Sequence, residues 1–317
     1  MDASSLIDFA RFKPLAAWSL SSTALGASMA VFLSGGRIDD PWLMAAAVVC
    51  VVLMQYVAHP LNDITDLEAD RRAAIAATGR RKPLVDGPVT VGEAKALSGA
   101  LVGTILLLMA GLILVRPALI VPASYGMFAL MGYNHSAMRL SYRPYTELYL
   151  AAPVNAIAVL VIAYIGSDAI TPLSILVATA FGIAASSLFV SMMSMDYRTD
   201  KEAGKRTTVV KHPRWRWCEA FPALGLIPFL ASIPLAYSSM SYWGLVAYAA
   251  LSTATFLALA SLGRRADRVR MEHIDRPGGR MEERSNDVRL KQLYISILYA
   301  VGLSAIFLQQ GVWSHGP

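Results

Sequence analysis

Two groups of polar side chains in the sequence have the types and the spacing to bind cations. The first group consists of Asn62, Asp63, Asp66 and Asp70, and the second consists of Asp196 and Asp200. Residues four apart share one face of a helix, so Asn62, Asp66 and Asp70 are predicted to project together, as are the two aspartates of the second group. Mg²⁺ prefers such oxygen ligands and typically uses one or two carboxylates together with substrate phosphates. We therefore predict a metal site, with two Mg²⁺ ions.

Basic residues follow each acidic group within a short distance. Arg71, Arg72, Arg81 and Lys82 follow the first group, and Lys205 and Arg206 follow the second. Guanidinium and ammonium groups pair with phosphate oxygens, so the two loops together predict a site for a diphosphate held between metal ions. A plainer alternative stays open, in which each charge is an ordinary interfacial residue balanced by its neighbours.

Membrane-spanning helices must position these side chains. The chain has 317 residues, of which 56% are hydrophobic and only 16% charged, whereas soluble domains carry about 25% charged residues. A helix needs roughly 20 apolar residues to cross a hydrocarbon core of about 30 Å. We find nine such stretches, at 14–34, 41–61, 95–115, 117–136, 146–166, 171–194, 220–238, 242–262 and 292–311. The prediction is an all-α polytopic membrane protein with nine transmembrane helices in a single domain, 1–317.

The loops between these stretches carry the basic residues very unevenly. Of 28 Lys and Arg residues, all but Arg37 and Arg116 fall on the side that holds the N-terminus and both acidic groups. Because cytoplasmic loops are enriched in Lys and Arg, we predict a cytoplasmic N-terminus and a central apolar cavity that opens to the cytoplasmic face. The first apolar stretch is long enough to be a full span, so no cleaved signal peptide is expected. The expected location is a bacterial cytoplasmic membrane.

Other function classes find no support in the sequence. The two cysteines, Cys50 and Cys218, match no disulfide framework and no zinc spacing. No dinucleotide fingerprint, nucleotide phosphate-binding loop or nucleophile elbow is present. The net charge of +6 is explained by the topology, so we expect no nucleic-acid partner. The Trp215-Arg216-Trp217 stretch predicts an interfacial anchor, and 264–291 is predicted to be a polar loop that caps the cytoplasmic mouth or trails from it.

The two acidic groups and their basic neighbours resemble the signatures of the UbiA superfamily of intramembrane prenyltransferases. The first group, continued by the RKPLVDG stretch at 81–87, is similar to the first signature of that superfamily, and 196–207 is similar to its second aspartate-rich motif. A third stretch at 139–147, RLSYRPYTE, resembles the menaquinone-biosynthesis branch, whose acceptor is of the 1,4-dihydroxy-2-naphthoate type. Thr146 departs from that branch, which commonly has glycine there.

The resemblance implies Mg²⁺-dependent transfer of an isoprenyl chain from a prenyl diphosphate to a small aromatic acceptor that is naphthoate- or benzoate-like. Asp66 and Asp196 are then candidate catalytic residues at the leaving diphosphate. Tyr133 is the candidate for an electron-rich ring beside the allylic cation, although an interfacial belt tyrosine is an alternative. Arg139 is expected to contact the diphosphate, and Glu147 is expected to contact the acceptor.

Two other activities are compatible with parts of this pattern. A UbiA-type terpene cyclase would ionise the same diphosphate without an external acceptor. A transporter would couple intramembrane carboxylates to protons or cations, but transport does not require basic residues after each acidic group. Transfer to an aromatic acceptor therefore ranks first and cyclisation second.

Overall fold

A computed structural model of the protein describes residues 16–68, 71, 84, 85, 87, 89–135, 137–275 and 282–313, without the side chains at 273, 282–286 and 313. Every regular element within these ranges is helical, which confirms the predicted all-α class. Four of the predicted site residues, Asp70, Arg72, Arg81 and Lys82, lie outside the described residues.

The described helices include eight that are long and apolar enough to cross a membrane. Helices α1 to α3 are Ala16–Leu33, Pro41–Thr65 and Val91–Val115; α4 is Ile120–Asn134; α5 and α6 are Glu147–Ser167 and Pro172–Met195; α7 and α8 are the short Tyr197–Glu202 and Thr208–Lys211; α9 to α11 are Trp217–Ser239, Tyr242–Asp275 and Glu282–Trp313. Helix α4 is not among the eight, and the short α7 and α8 connect α6 to α9.

Helix α4 corresponds to the predicted stretch 117–136 but is shorter. It is preceded by a single 3₁₀ turn, Pro117–Leu119. Just before that turn, Arg116 Nη1 forms an ion pair of 2.7 Å with Asp168 Oδ1, beyond the end of α5. At the other end of α4, the carbonyl oxygen of Asn134 accepts a hydrogen bond of 2.8 Å from Thr65 Oγ1, at the end of α2. Helix α4 therefore begins near the last residue of α5 and ends near the last residue of α2.

The centre of the bundle is helix α6, which carries the second acidic group at its end. Its membrane window is 72% buried, the largest share among the eight candidate spans. Small side chains such as Ala180, Ala184 and Ser187 are almost fully buried in it. Between membrane helices, small residues allow the close backbone approach that drives association. Helix α6 is therefore held on several sides, which fixes the position of its last residues.

The predicted polar loop at 264–291 is wrong for most of its length. Helix α10 continues to Asp275, and helix α11 begins at Glu282. In this extension Ala266, Asp267 and Arg270 are buried. Asp267 accepts a hydrogen bond from the N–H of Glu219 at the start of α9, and Arg270 donates to Ser194 at the end of α6. Hydropathy marks where a helix leaves the bilayer, and it does not mark where the helix ends.

Helices α9 and α10 approach each other closely at Gly263. A Cβ atom at this position would lie 1.8 Å from the carbonyl oxygen of Cys218 and 2.8 Å from the amide nitrogen of Glu219. We expect Gly263→Ala to destabilise the protein by about 1–3 kcal/mol or more, because the clashing atoms are backbone and cannot turn away. Thermal unfolding in detergent measures this effect.

The matched control is Gly103→Ala in α3, where an added Cβ would meet no atom within 4 Å. That variant is expected to be neutral or more stable by up to about 1 kcal/mol, since alanine is the better helix former. Equal melting temperatures for the two variants would show that α9 and α10 can move apart at Gly263 without loss of stability.

Candidate functional site

The first acidic group lies where helix α2 ends. Thr65 is the last helical residue, and Asp66 follows as the C-cap with φ −92° and ψ 4° while its N–H still bonds the carbonyl oxygen of Asn62 at 2.8 Å. The helix is thus interrupted at Asp66. Asn62 and Asp66 still lie side by side, with Asn62 Nδ2 3.5 Å from Asp66 Oδ2, and Asp70 lies outside the described residues. Asp66 is only 4% exposed. A buried carboxylate at the negative end of a helix dipole is costly and attracts a cation.

The second acidic group repeats this local geometry at the end of helix α6. Asp196 is the C-cap, with φ −86° and ψ 10°. The chain then enters α7, where the N–H of Asp200 bonds the carbonyl oxygen of Asp196 at 2.7 Å. Asp200 is 9% exposed. Asp66 and Asp196 therefore occupy equivalent positions on two helices, and both groups present carboxylates at the same kind of helix end.

Lys205 joins the two acidic groups. Its Nζ atom lies 2.8 Å from Asp66 Oδ2 and 3.7 Å from Asp200 Oδ1, and its side chain is 16% exposed. Gly204, with φ +74°, makes the turn that returns the chain toward α7, and the N–H of Lys205 bonds the carbonyl oxygen of Asp200 at 2.8 Å. One ammonium group thus contacts carboxylates that are 134 residues apart in sequence.

Tyr142 is a site residue that the sequence analysis did not assign. Its hydroxyl donates a hydrogen bond of 3.1 Å to Asp66 Oδ1. Its ring centroid lies 5.0 Å from Lys205 Nζ and 5.3 Å from Arg139 Cζ, so two cations face one aromatic ring. The available signal was its position in the RLSYRP stretch, three residues after the candidate Arg139.

The site carries more negative charge than Lys205 balances. Burial raises the pKa of Asp200 to about 7; Lys205 opposes this shift, and the charges of Asp196 and Asp66 add to it. Burial lowers the pKa of Lys205, but Asp200 and Asp66 outweigh burial and leave that pKa raised. The pKa of Tyr142 is raised by burial and then by the charge of Asp66. Burial is thus the largest cause at Asp200 and Tyr142, and the neighbouring carboxylates act in the same direction.

Several other predicted residues lie around this centre. Asn62 Nδ2 is 3.5 Å from Asp66 Oδ2, and Asp63 is buried at 3% exposure. Tyr133 lies close enough to Lys205 to interact with it electrostatically. Its ring centroid is 6.3 Å from that of Phe189 on helix α6. The end of α4 therefore brings an aromatic side chain near Lys205.

Two of the predicted phosphate-binding arginines lie further out. Arg71 is about half exposed and pairs with Glu68 at 3.3 Å. The backbone N–H of Arg206 bonds the carbonyl oxygen of Tyr142 at 2.9 Å. The Arg206 side chain is exposed and borders a cleft of about 350 Å³ that is also lined by Tyr142, Arg143, Pro144 and Lys211. Lys205 and Arg206 are thus adjacent in sequence, but only Lys205 contacts the carboxylates.

Glu147, the predicted acceptor ligand, is fully buried at 0% exposure. Its Oε1 atom accepts hydrogen bonds of 2.6 Å from Thr208 Oγ1 and of 2.5 Å from Trp217 Nε1. Trp217 was predicted to be an interfacial anchor, whereas here it is only partly exposed and donates to this carboxylate. Trp215 is 48% exposed, and its ring stacks on His212 with centroids 3.7 Å apart.

The residues at the acidic centre fit a magnesium ion that is shared with a phosphate ligand. In the described ranges no three His, Cys, Asp or Glu side chains form a group that could hold a metal ion by themselves. Mg²⁺ needs only one or two carboxylates when water and phosphate oxygens complete its shell. Asp66 and Asp200 supply two carboxylates, and the ammonium of Lys205 shows that a cation is accommodated between them. The Oδ1 atom of the neighbouring Asn134 is buried and has no hydrogen-bond partner.

An apolar helical bundle with an acidic centre at one end is typical of an integral membrane protein that binds a charged group. The chain belongs to the UbiA prenyltransferase family, whose model matches residues 20–274. Members of this family transfer prenyl groups. No curated protein sequence matches the chain.

Solved structures show the same fold. A UbiA homologue from Archaeoglobus fulgidus, bound to GPP and Mg²⁺, superposes with a TM-score of 0.66 at 15% identity, over 96% of this chain and 99% of that one. The same homologue bound to DMAPP and Mg²⁺ gives a TM-score of 0.63 at 15% identity, over 96% and 99% of the two chains. A digeranylgeranylglyceryl phosphate synthase gives 0.59 at 15% identity, over 96% and 98%.

Proposed function

We propose that this protein is a Mg²⁺-dependent prenyltransferase that moves an isoprenyl chain from a prenyl diphosphate to an aromatic acceptor of the naphthoate or benzoate class. The menaquinone-type branch is the proposed affiliation, on the resemblance of 139–147 and of the Gly-Lys-Arg-Thr stretch at 204–207. In the reaction the allylic carbon–oxygen bond breaks, diphosphate leaves, a bond to the ring forms, and the ring carbon loses its proton.

One observation carries this proposal. The ammonium of Lys205 contacts both Asp66 and Asp200, so both acidic groups serve one position. A diphosphate gains negative charge as its bond to carbon breaks, and fixed positive charge at that position stabilises the transition state more than the ground state. Mg²⁺, when bound, would supply such charge and polarise the leaving oxygens.

The proposed metal ligands are the six oxygen-bearing residues of the two groups, Asn62, Asp63, Asp66, Asp70, Asp196 and Asp200, and two ions are proposed. Lys205 Nζ and Arg139 Cζ both lie within 5.3 Å of the centroid of the Tyr142 ring, so they are proposed to contact the diphosphate. Arg71, Arg72, Arg81, Lys82 and Arg206 are also proposed to bind the diphosphate. The homologue bound to GPP and Mg²⁺ supports this type of ligand for the shared fold.

The helices around the acidic centre are proposed to protect the allylic cation from water. The ring of Tyr133 lies 6.3 Å from that of Phe189, centroid to centroid, and we propose these rings as the electron-rich wall that stabilises the carbocation. The isoprenyl tail would extend between apolar helices. We therefore propose a central cavity that is apolar inside and opens at the acidic end, because such a cavity would suit both parts of the substrate.

We further propose nine membrane crossings, with the N-terminus and the acidic centre on the cytoplasmic side. Helix α4 with its 3₁₀ turn, at about 1.5 and 2 Å per residue, reaches about 28 Å, close to the hydrocarbon thickness. Its two ends contact opposite ends of the bundle, at Asp168 and Thr65. The distribution of Lys and Arg supports this orientation. The proposed location is a bacterial cytoplasmic membrane.

The proposal is tested with purified protein in detergent, a prenyl diphosphate, a naphthoate or benzoate acceptor and Mg²⁺. We expect release of diphosphate together with a lipid-soluble adduct, and we expect chelation of divalent ions to abolish both. Mass spectrometry identifies the products, whatever the length of the transferred chain.

Two outcomes would contradict the proposal. A cyclic hydrocarbon or alcohol formed without acceptor would assign the protein as a terpene cyclase. Uptake of substrate into proteoliposomes without any covalent change would assign it as a transporter.

A further inference from the structure

Glu147 connects three segments that are far apart in sequence. It is the first residue of α5, and its Oε1 atom accepts hydrogen bonds from Thr208 in α8 and from Trp217 at the start of α9. From these contacts we infer that Glu147 is a positioning residue, which holds the loop that carries Lys205 against the 142–147 segment and so places the Lys205 ammonium between the two acidic groups. The inference rests on the proposed function for its kinetic consequences.

The hydroxyl of Thr208 forms hydrogen bonds to two other segments. The hydroxyl of Thr208 donates to Glu147 Oε1 at 2.6 Å and accepts a hydrogen bond of 2.6 Å from the backbone N–H of Tyr145. Thr208 is 0% exposed, so water does not compete for either bond. Tyr145 has φ +65°, a left-handed conformation that is unfavourable for a non-glycine residue. That conformation directs its N–H toward the Thr208 hydroxyl.

Backbone hydrogen bonds also fix the chain between Thr208 and Lys205, three residues earlier. Between them, the N–H of Arg206 bonds the carbonyl oxygen of Tyr142 at 2.9 Å. Lys205 itself is bonded through its N–H to the carbonyl oxygen of Asp200. The backbone of Lys205 is therefore fixed between α7 on one side and the 142–147 segment on the other. Thr208 and Glu147 close this attachment.

The Glu147 side chain is enclosed by the protein. It has no exposed surface, and both groups that bond Oε1 belong to the protein. A ligand of a diffusing acceptor must present an atom to the space that the acceptor enters. The geometry therefore favours a role in holding Lys205 over the predicted role in binding the acceptor.

The two roles predict different kinetics. If Glu147 positions Lys205, Glu147→Ala and Thr208→Val raise the KM for the prenyl diphosphate roughly tenfold each, as expected for loss of a hydrogen bond to a charged group, and leave the KM for the acceptor unchanged. Glu147→Gln keeps an oxygen that accepts both bonds and restores most of the affinity for the diphosphate. If Glu147 binds the acceptor, the acceptor KM rises instead, and Thr208→Val has little effect.

A second measurement does not depend on the proposed function. An amine-reactive reagent applied to the metal-free full-length protein reports how firmly Lys205 is held, because an ammonium in an ion pair reacts slowly. Lys201 is the internal reference, since it is exposed and lies 6.0 Å from the ring of Tyr197, outside the acidic centre. We expect Thr208→Val and Glu147→Ala to raise labelling of Lys205 severalfold relative to Lys201, with Glu147→Gln close to the unsubstituted protein.

Unchanged labelling of Lys205 in Thr208→Val would overturn the inference, as would a selective rise in the acceptor KM. Thr208→Val decides the matter if Glu147→Ala fails to fold, because valine has nearly the shape of threonine. An unsubstituted protein that transfers no prenyl group would refute the proposed function, and the labelling result would still decide the role of Glu147.

Discussion

Asp66→Asn is expected to lower the rate of prenyl transfer by at least about 10²-fold, the scale found when one fixed electrostatic contact to a developing charge is removed. Asparagine keeps the size of the side chain but removes the charge that Lys205 contacts at 2.8 Å. It also alters the acceptor of the Tyr142 hydroxyl. Release of diphosphate from a prenyl diphosphate at saturating Mg²⁺ measures the loss, and Asp200→Asn is expected to behave in the same way.

The matched control is Asp287→Asn. Asp287 is 56% exposed and forms an ion pair of 2.7 Å with Lys291 one helical turn away. An exposed pair of this type contributes about 0–1 kcal/mol, so this variant is expected to keep its activity. If Asp66→Asn turns over within a few-fold of the rate of the control, the acidic centre does not take part in prenyl transfer.

Arg270→Met is expected to destabilise the protein by about 3–5 kcal/mol, the cost of leaving one charge of a buried ion pair without its partner. Arg270 Nη2 lies 2.8 Å from Asp267 Oδ1, and the two side chains are 0% and 1% exposed. Arg270 also donates to Ser194 Oγ at 3.3 Å and to the carbonyl oxygen of Trp215 at 2.5 Å. Thermal unfolding in detergent measures the change.

Two comparisons make this prediction specific. Arg264→Met removes a cation that pairs with Glu219 while 56% exposed, and it is expected to cost less than about 1 kcal/mol. The double substitution Asp267→Leu with Arg270→Met removes both buried charges and is expected to recover much of the lost stability. If Arg270→Met melts at the temperature of Arg264→Met, the buried pair does not hold α10 to the end of α6.

The membrane helices and the meeting of the two acidic groups could be predicted from the sequence. An apolar stretch of about 20 residues has the length that a membrane-spanning helix needs. Most of the helices begin or end near the predicted positions. The distribution of basic residues placed both acidic groups on one side of the membrane. The contacts of Lys205 with Asp66 and Asp200 bring the two groups to one point.

Other features depend on tertiary contacts that spacing does not encode. The four-residue periodicity assumes a continuous helix, but α2 ends at Thr65 and so Asp66 becomes a cap. Tyr142 enters the site because a short 3₁₀ turn, Leu140–Tyr142, directs its hydroxyl toward α2. The burial of Glu147 depends on Trp217, 70 residues later.

The extension of α10 was missed for a related reason. Its sequence is rich in arginine and aspartate, which composition assigns to a solvated loop. Asp267 and Arg270 lie three residues apart on one helical face, so they neutralise each other inside the protein. Only the partner surface, formed by the end of α6 and the start of α9, shows that this face is covered.

The lysine between the two acidic groups also bears on how the molecule is assembled. Because Lys205 belongs to the same chain, Asp66 and Asp200 have a counter-ion as soon as the bundle closes, whether or not divalent ions are at hand. We therefore expect the helices to close around the acidic centre without divalent ions. Bound Mg²⁺ would then share, or take over, a position at which the chain itself already places a positive charge.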